Sequence, residues 1–355
     1  QRDFARVARE AVCRGHEVVA LVSHWDGDPI DGVTTHILPI SGRSNHGRMA
    51  AFARLLMRHT GQSHYDAVLG FNRLPGLDVY FAADSCFAAH VAGKPALVRK
   101  LPRYATYLKL EHAITQPSGP HILFLNDDQR DQYRQYYDLP DARFSMLPPG
   151  IEKDRRRPDN HAQLRSATRA ALGVTDDETL LMFLGSGFKV KGLDRALLAF
   201  STLPESNRLM IVGNDDADPY LKSLPAAVRE RVQVLGPRDN VPALMQAADM
   251  LLHPAYRESA GMVLLEATVA GLPVLTTDTC GYARYVREAG SGEVIASPFQ
   301  QETLDVTLQR MVSELPGVWQ RNGLDYAQSP ALYQLAQNVV NTVERVVEHA
   351  VENAR

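Results

Sequence analysis

Five short apolar runs in the second half of the chain constrain its fold most: "TLLMFLG" (179–185), "RLMIVG" (208–213), "VQVLG" (232–236), "DMLLHP" (249–254) and "LPVLTT" (272–277). None alternates cleanly between apolar and polar positions, so a strand made from any of them has no face to give to water. It must be covered on both sides, which is the condition of a parallel sheet. The stretch after each run has helical character, and a helix between consecutive strands is the connection that a parallel sheet requires. The first half repeats the rhythm less regularly, with strand-like runs at 16–23, 33–40, 66–71, 78–83 and 121–126 and a helix near 48–60. Two doubly wound α/β domains in tandem are predicted. Ligands of such sheets bind outside the carboxyl ends of the strands, so the chemistry is expected in strand-to-helix turns facing an interdomain cleft.

The length of 355 residues is too great for one comfortable core and fits this division. In "RFSMLPPGIEKDRRRP", Pro148, Pro149 and Gly150 separate a strand from a basic run and read as a hinge. The expected domains are therefore 1–149 and 150–330. The remainder, 331–355, is a long amphipathic helix able to pack back on the first domain. Residues 1–12 also read as an amphipathic helix, with Phe4, Val7, Ala8 and Val12 on one stripe, and the absence of a leading Met creates the expectation of a segment upstream of Gln1.

Bulk properties exclude several classes. A net charge of -3 gives no global steering towards nucleic acid. Cys13, Cys86 and Cys280 lack metal-ligand spacing, so neither a zinc site nor a disulfide framework is expected, and a reducing compartment is favoured. No apolar run is long enough to span a bilayer and no signal peptide opens the chain, so membrane contact is expected to be peripheral.

Two turns carry chemistry. "GSGFKVKGLDR" (185–195) follows a strand; Gly185, Gly187 and Gly192 leave backbone amides open, and Lys189 and Lys191 add positive charge, a combination that suits phosphate. It matches neither a Walker loop nor GxGxxG, and the plainer reading is a turn with solvated lysines. "HPAYRESAG" is a loop after a strand, and the next helix begins "MVLLEATVAG", so Gly261, Met262 and Val263 offer amides to an anion at a helix N-terminus. Glu266, a turn further in, can accept hydrogen bonds from vicinal hydroxyls such as those of a ribose. Glu258 would project towards whatever lies beyond the diphosphate. Taken alone, these glutamates are equally an N-terminal helix charge and a partly exposed helix residue. His46 reads as a solvated loop residue, Cys86 and Cys280 as small packed residues, and His253 as a hydrogen-bonded core residue.

The stretch 249–285 resembles nearly throughout the nucleotide-sugar site of retaining family-4 glycosyltransferases of the GT-B fold. More narrowly, "QRDF", "GFNRLPGLDVYFAAD", "LPPGI", "KGLDR" and "LLHPAY" are similar to the lipopolysaccharide core glucosyltransferase I (WaaG/RfaG) family, and the likeness covers essentially the whole chain. It implies two Rossmann-like domains facing a cleft, a UDP-sugar donor, and an acceptor heptose in the lipid-A-linked inner core. It also implies transfer of glucose with retention, and no bound metal or other cofactor. Carried over, Glu266 would hold the ribose, and the amides from Gly261 to Val263, with Ala260 beside them, the diphosphate. Glu258 would meet the donor sugar, Lys191 and Arg155 would balance the leaving group, and Asp3, Gly185 and Lys189 would lie on the donor side. Asp84 would face the cleft near the reacting carbon. The family has an arginine where Val190 stands, so one leaving-group cation is missing here unless Lys189 substitutes. Its members also carry a strand and glycine-rich loop ahead of "QRDF", absent from this sequence.

Between 87 and 116, Lys94, Arg99, Lys100, Arg103 and Lys109 stand against the single acid Glu111, with Tyr104 and Tyr107 interleaved. Basic and aromatic residues around a helix suit an anionic bilayer surface. With the lipid-linked acceptor, this implies a place on the cytoplasmic face of the bacterial inner membrane, without nucleic-acid partners. The residue types leave two alternatives open: another donor, UDP-N-acetylhexosamine or UDP-galactose, and a nucleotide-sugar-binding protein without turnover.

Overall fold

The computed structural model describes residues 2–258 and 260–353. The chain forms two compact units, one of residues 1–150 together with 334–355 and the other of residues 151–333.

In the first unit, β1 (Val18–Val22) and β2 (Val33–Ile37) form a parallel pair, and β3 (Leu69–Gly70), β4 (Val79–Phe81), β5 (His121–Phe124) and β6 (Phe144–Met146) form a parallel sheet in that order. β4 and β5 sit at its centre, which is why their runs are apolar without alternation. Successive side chains leave a strand on opposite faces. Tyr80, Ile122 and Phe124 therefore meet Phe52, Leu56, Leu110 and Ile114 of helices Asn45–Gln62 and Pro102–Thr115. Val79, Phe81 and Leu123 meet Val7 of helix Arg2–Cys13 and Leu335, Val339 and Val340 of helix Leu335–Asn353. The amphipathic C-terminal segment thus covers the first unit's sheet, entered through a short 3-10 turn at Pro330–Tyr333. β1 and β3 are not paired to each other; a cavity of 1460 Å³ lined by residues of both lies between them.

His46 is not in a loop. Ser44 accepts a hydrogen bond from the Gly47 amide at 3.2 Å, and this N-cap starts the helix at Asn45, placing His46 in its first turn.

In the second unit, β7 (Thr179–Leu184), β8 (Asn207–Val212), β9 (Val232–Gly236), β10 (Met250–His253), β11 (Val274–Thr277) and β12 (Gly292–Ile295) form one parallel sheet in the order β12-β11-β10-β7-β8-β9. The strand order reverses between β7 and β10, and the crevice at the carboxyl ends of those two strands is where such a sheet takes a ligand. Leu181, Phe183, Leu209, Ile211, Met250 and Leu252 point to one face; Leu180, Met182, Met210, Val212 and Leu251 point to the other.

Candidate active site

The loops after β7 and β10 are locked together. Gly192, at φ +76°, ends helix Phe188–Lys191, and a Cβ there would lie 2.1 Å from the Pro254 carbonyl oxygen, so only glycine permits the approach. Tyr256 closes the contact from the other side: its amide donates to the Val190 carbonyl at 2.8 Å and its hydroxyl to Asp194 at 2.7 Å. The Arg195 guanidinium is sandwiched between the rings of Tyr256 and Phe299, 3.5 and 3.6 Å from their centroids.

This frame brings Lys191 and Glu258 together. The Lys191 ammonium donates to Glu258 Oε2, with both side chains mostly buried. The Glu258 backbone is pinned to the loop after β11, its amide donating to Thr279 and its carbonyl accepting from Gly281. Burial opposes ionisation of Glu258, but His253 and Lys191 outweigh it and lower its pKa. Glu258 is therefore an anion at neutral pH, and Lys191 is its counterion.

Gly261, at φ +83°, turns the chain into helix Met262–Val269. Among the described residues the amides of Gly261, Met262 and Val263 meet no acceptor, so three donors stand at the positive end of the helix. Ala260 precedes them, its carbonyl accepting from Tyr282 at 2.7 Å. Glu266, one turn into the helix and largely buried, lies 3.8 Å from the Arg155 guanidinium. After β7, Gly185 donates to Val212, while the amides of Ser186 and Gly187 meet no acceptor among the described residues. Lys189 and Val190 are exposed, and Lys189 makes no ion pair among the described residues. The second unit thus offers, on its switch-point loops, a carboxylate with a lysine, a row of open amides, and a second carboxylate with an arginine.

His253 departs from expectation. It is wholly buried at the end of β10, but among the described residues neither ring nitrogen has a hydrogen-bond partner; Nε2 lies 3.7 Å from Glu258 Oε2. Its position directly after the apolar run gave no hint of this, because the contact comes from Glu258 folding back across the strand end.

Two expected residues lie in the first unit. Asp3, in the first turn of its helix, pairs with Arg6 at 3.4 Å, and Arg6 also donates to the Gly150 carbonyl. Asp84 is exposed on the loop after β4, with its carboxylate 3.8 Å from Arg73. That loop is held from below: Gln129 donates to the carbonyls of Ala82 and Asp84, and Arg73 to that of Ser85. Glu111, counted in the sequence against the basic cluster, is fully buried, where it accepts from the Phe87 and Ala88 amides and the Tyr137 hydroxyl and pairs with Arg73 at 3.1 Å. Arg99, Lys100, Arg103 and Lys109 remain exposed with Leu97 and Leu101, on and between helices Ala96–Arg99 and Pro102–Thr115, and Tyr104 is half-buried against Phe87. Among the described residues no His, Cys, Asp or Glu cluster has the makings of a metal site, and no helix is long and apolar enough to cross a membrane.

Residues 2–155 match the family described as Glycosyltransferase Family 4, and residues 165–316 match Glycosyl transferases group 1. The lipopolysaccharide glucosyltransferase WaaG of Escherichia coli K12 is 40% identical over 97% of this chain and 94% of its own length. The chain belongs to the WaaG family. A crystal structure of WaaG, described as a glycosyltransferase involved in lipopolysaccharide biosynthesis, superposes with a TM-score of 0.85 at 39% identity, covering 97% of this chain and 95% of that one. The two Rossmann-like units are thus those of the GT-B fold, and the chain is a glycosyltransferase of the WaaG type. A D-inositol 3-phosphate glycosyltransferase of Xylanimonas cellulosilytica is 27% identical over 77% of this chain and 69% of its own.

Proposed function

We propose that this WaaG-family chain moves glucose from UDP-glucose onto a heptose of the lipopolysaccharide inner core, with retention of configuration. The observation that carries the reading is the sequence of groups on the switch-point loops: Glu266 with Arg155, then the open amides of Gly261 to Val263, then Glu258 with Lys191. A ribose, a diphosphate and a hexose would meet them in that order. Glu266 would accept hydrogen bonds from the ribose hydroxyls, the amides would take the diphosphate, and Glu258 would fix the sugar. When the bond from the anomeric carbon to the diphosphate breaks, its electron pair leaves with UDP. Lys191, Arg155 and the amides then stabilise that charge where it develops. The acceptor hydroxyl adds to the anomeric carbon and its proton passes to the departing phosphate. Asp3, Gly185 and Lys189 are assigned to the donor side, and Asp84 to the acceptor side.

The acceptor is lipid-linked, and the first unit has a surface suited to it. With Glu111 buried, Arg99, Lys100, Arg103 and Lys109 face solvent beside Leu97, 83% exposed, and Leu101, 52% exposed. Cations next to exposed leucines fit an anionic headgroup layer, at about 1 kcal/mol per cation near the surface. The chain would work at the cytoplasmic face of the inner membrane.

Calorimetry with UDP and mass spectrometry of product from heptosylated core with a panel of UDP-sugars test this together. Glu266→Ala should weaken UDP binding roughly 150-fold or more, the worth of about two hydrogen bonds to a charged group. Glu258→Ala should leave UDP binding nearly unchanged and slow transfer. Normal turnover in both variants refutes the assignment. UDP binding without product from any donor marks a binding protein, and product from UDP-galactose or UDP-N-acetylhexosamine alone replaces the donor.

A further inference from the structure

A fully buried histidine whose two ring nitrogens find no hydrogen bond is costly, and natural interiors seldom hold one without a purpose. His253 is such a residue. Its ring lies flat against Phe183 of the neighbouring strand β7, 6.3 Å between centroids at 24°, and Thr276 Oγ1 donates to its carbonyl, so the strand end cannot turn it away. Among the described residues, few groups face the ring. Glu258 lies on one side and the Cys280 thiol beside it; Phe183 brings no charge, and Arg195 is directed to the carbonyls of Pro254 and Ala255 and to its two aromatic neighbours. Lys191 and His253 address the same atom, Glu258 Oε2.

That shared oxygen creates a conflict within the function proposed above, on which this inference rests. Lys191 cannot both neutralise Glu258 and meet a diphosphate. Once Lys191 turns to the leaving group, Glu258 would be a mostly buried carboxylate without a counterion, and such a group takes up a proton. A protonated Glu258 is a weaker acceptor for a sugar hydroxyl. We propose that His253 is a positioning residue for Glu258, closing from 3.7 Å onto Oε2 as Lys191 leaves it, so that the carboxylate keeps its place and its charge while the lysine serves the diphosphate. Cys280 and Glu258 together overcome the burial that opposes charging of the ring and raise its pKa, which is the direction this role needs.

The test reads the ring and the reaction separately. In nitrogen-15 spectra of the whole protein, the His253 ring should titrate above the ordinary histidine value of 6.5, and Glu258→Gln should lower that pKa. Adding UDP to the wild type should keep the ring charged to higher pH. In turnover, His253→Gln should leave UDP affinity within about twofold, lower kcat roughly 10- to 100-fold, and move the acid limb of the kcat profile to higher pH. A ring that stays neutral at pH 6, or whose titration ignores Glu258→Gln, overturns the proposal, as does a His253→Gln enzyme with the wild-type kcat and pH profile. Absence of any turnover in the wild type refutes the functional reading, while the ring titration still decides whether His253 answers to Glu258.

Discussion

Replacing Gly192 by alanine, with Gly187→Ala as its partner, separates backbone strain from the closeness of the two loops. Both glycines have left-handed φ angles, +76° and +77°. A Cβ on Gly187 meets nothing within 4 Å, so that variant pays only the left-handed cost, about 1–2 kcal/mol. A Cβ on Gly192 lies 2.1 Å from the Pro254 carbonyl oxygen and 2.9 Å from its carbon, and both are backbone atoms that no rotamer change can move. The chain must part by about an ångström, adding roughly 1–3 kcal/mol of overpacking. At about 2–4 °C per kcal/mol for a unit of this size, Gly187→Ala should lower Tm by roughly 2–8 °C and Gly192→Ala by roughly 4–20 °C.

The larger consequence is chemical. Pro254 is four residues before Glu258, so parting the loops moves Glu258 relative to Lys191 and to the amides after Gly261. A misplacement of about 1 Å at a reacting centre can cost on the order of 100-fold. Gly192→Ala should therefore lose about 100-fold in kcat even at temperatures where it is fully folded, while Gly187→Ala stays within a few-fold of wild type. Scanning calorimetry followed by turnover at 15 °C measures both. Equal losses in the two variants, in either measurement, would refute the argument that Gly192 is glycine because Pro254 is there.

Glu111→Gln removes a buried charge that faces Arg73 and accepts two helix amides, and should cost about 3–5 kcal/mol in denaturant titration; a loss under 1 kcal/mol contradicts the network described. A chromogenic disulfide reagent should find one fast thiol, the exposed Cys13, and reach Cys86 only on unfolding, because Cys86 is buried and burial, reinforced by Glu111, pushes its pKa up to about 12. His253 also predicts a pH dependence of stability. Its folded pKa is raised, so its contribution is complete below the ordinary value of 6.5 and is lost as pH rises through the folded value. The stability difference between wild type and His253→Gln should shrink between pH 6 and 9, and parallel curves would contradict it. Replacing Arg99, Lys100 and Arg103 by glutamine should weaken binding to anionic vesicles by about 3 kcal/mol at low salt; unchanged binding makes the surface a solvated one.

The fold was legible because buried parallel strands cannot hide: β7, β8, β10 and β11 begin and end within two residues of their apolar runs. β12 was not, because Gly292 and Glu293 interrupt its apolar character and three of its four residues stay half-buried at the sheet's edge, where a strand needs no continuous run. The boundaries of helix Asn45–Gln62 were missed for a similar local reason. Its start is decided by the Ser44 cap, four residues ahead of residue 48, where periodicity places the helix.

The site divides in the same way, between what spacing along the chain encodes and what only the folded register creates. The run from Glu258 through Gly261 to Glu266 is local: eight residues fix one loop and one helix turn, so its geometry could be read from sequence. The meeting of Lys191 with Glu258 is not local, since 67 residues separate them, and neither is the approach of His253 to the same oxygen. Both depend on β10 lying beside β7, with Leu251 opposite Met182, a register that no motif announces. A histidine at the end of an apolar strand is usually satisfied by a nearby carbonyl. Here the neighbouring strand presents Phe183 instead, and among the described residues the charged neighbour of the ring is the carboxylate that folds back over it. The residue that looked most like core is thus the one whose surroundings tie it most closely to Glu258.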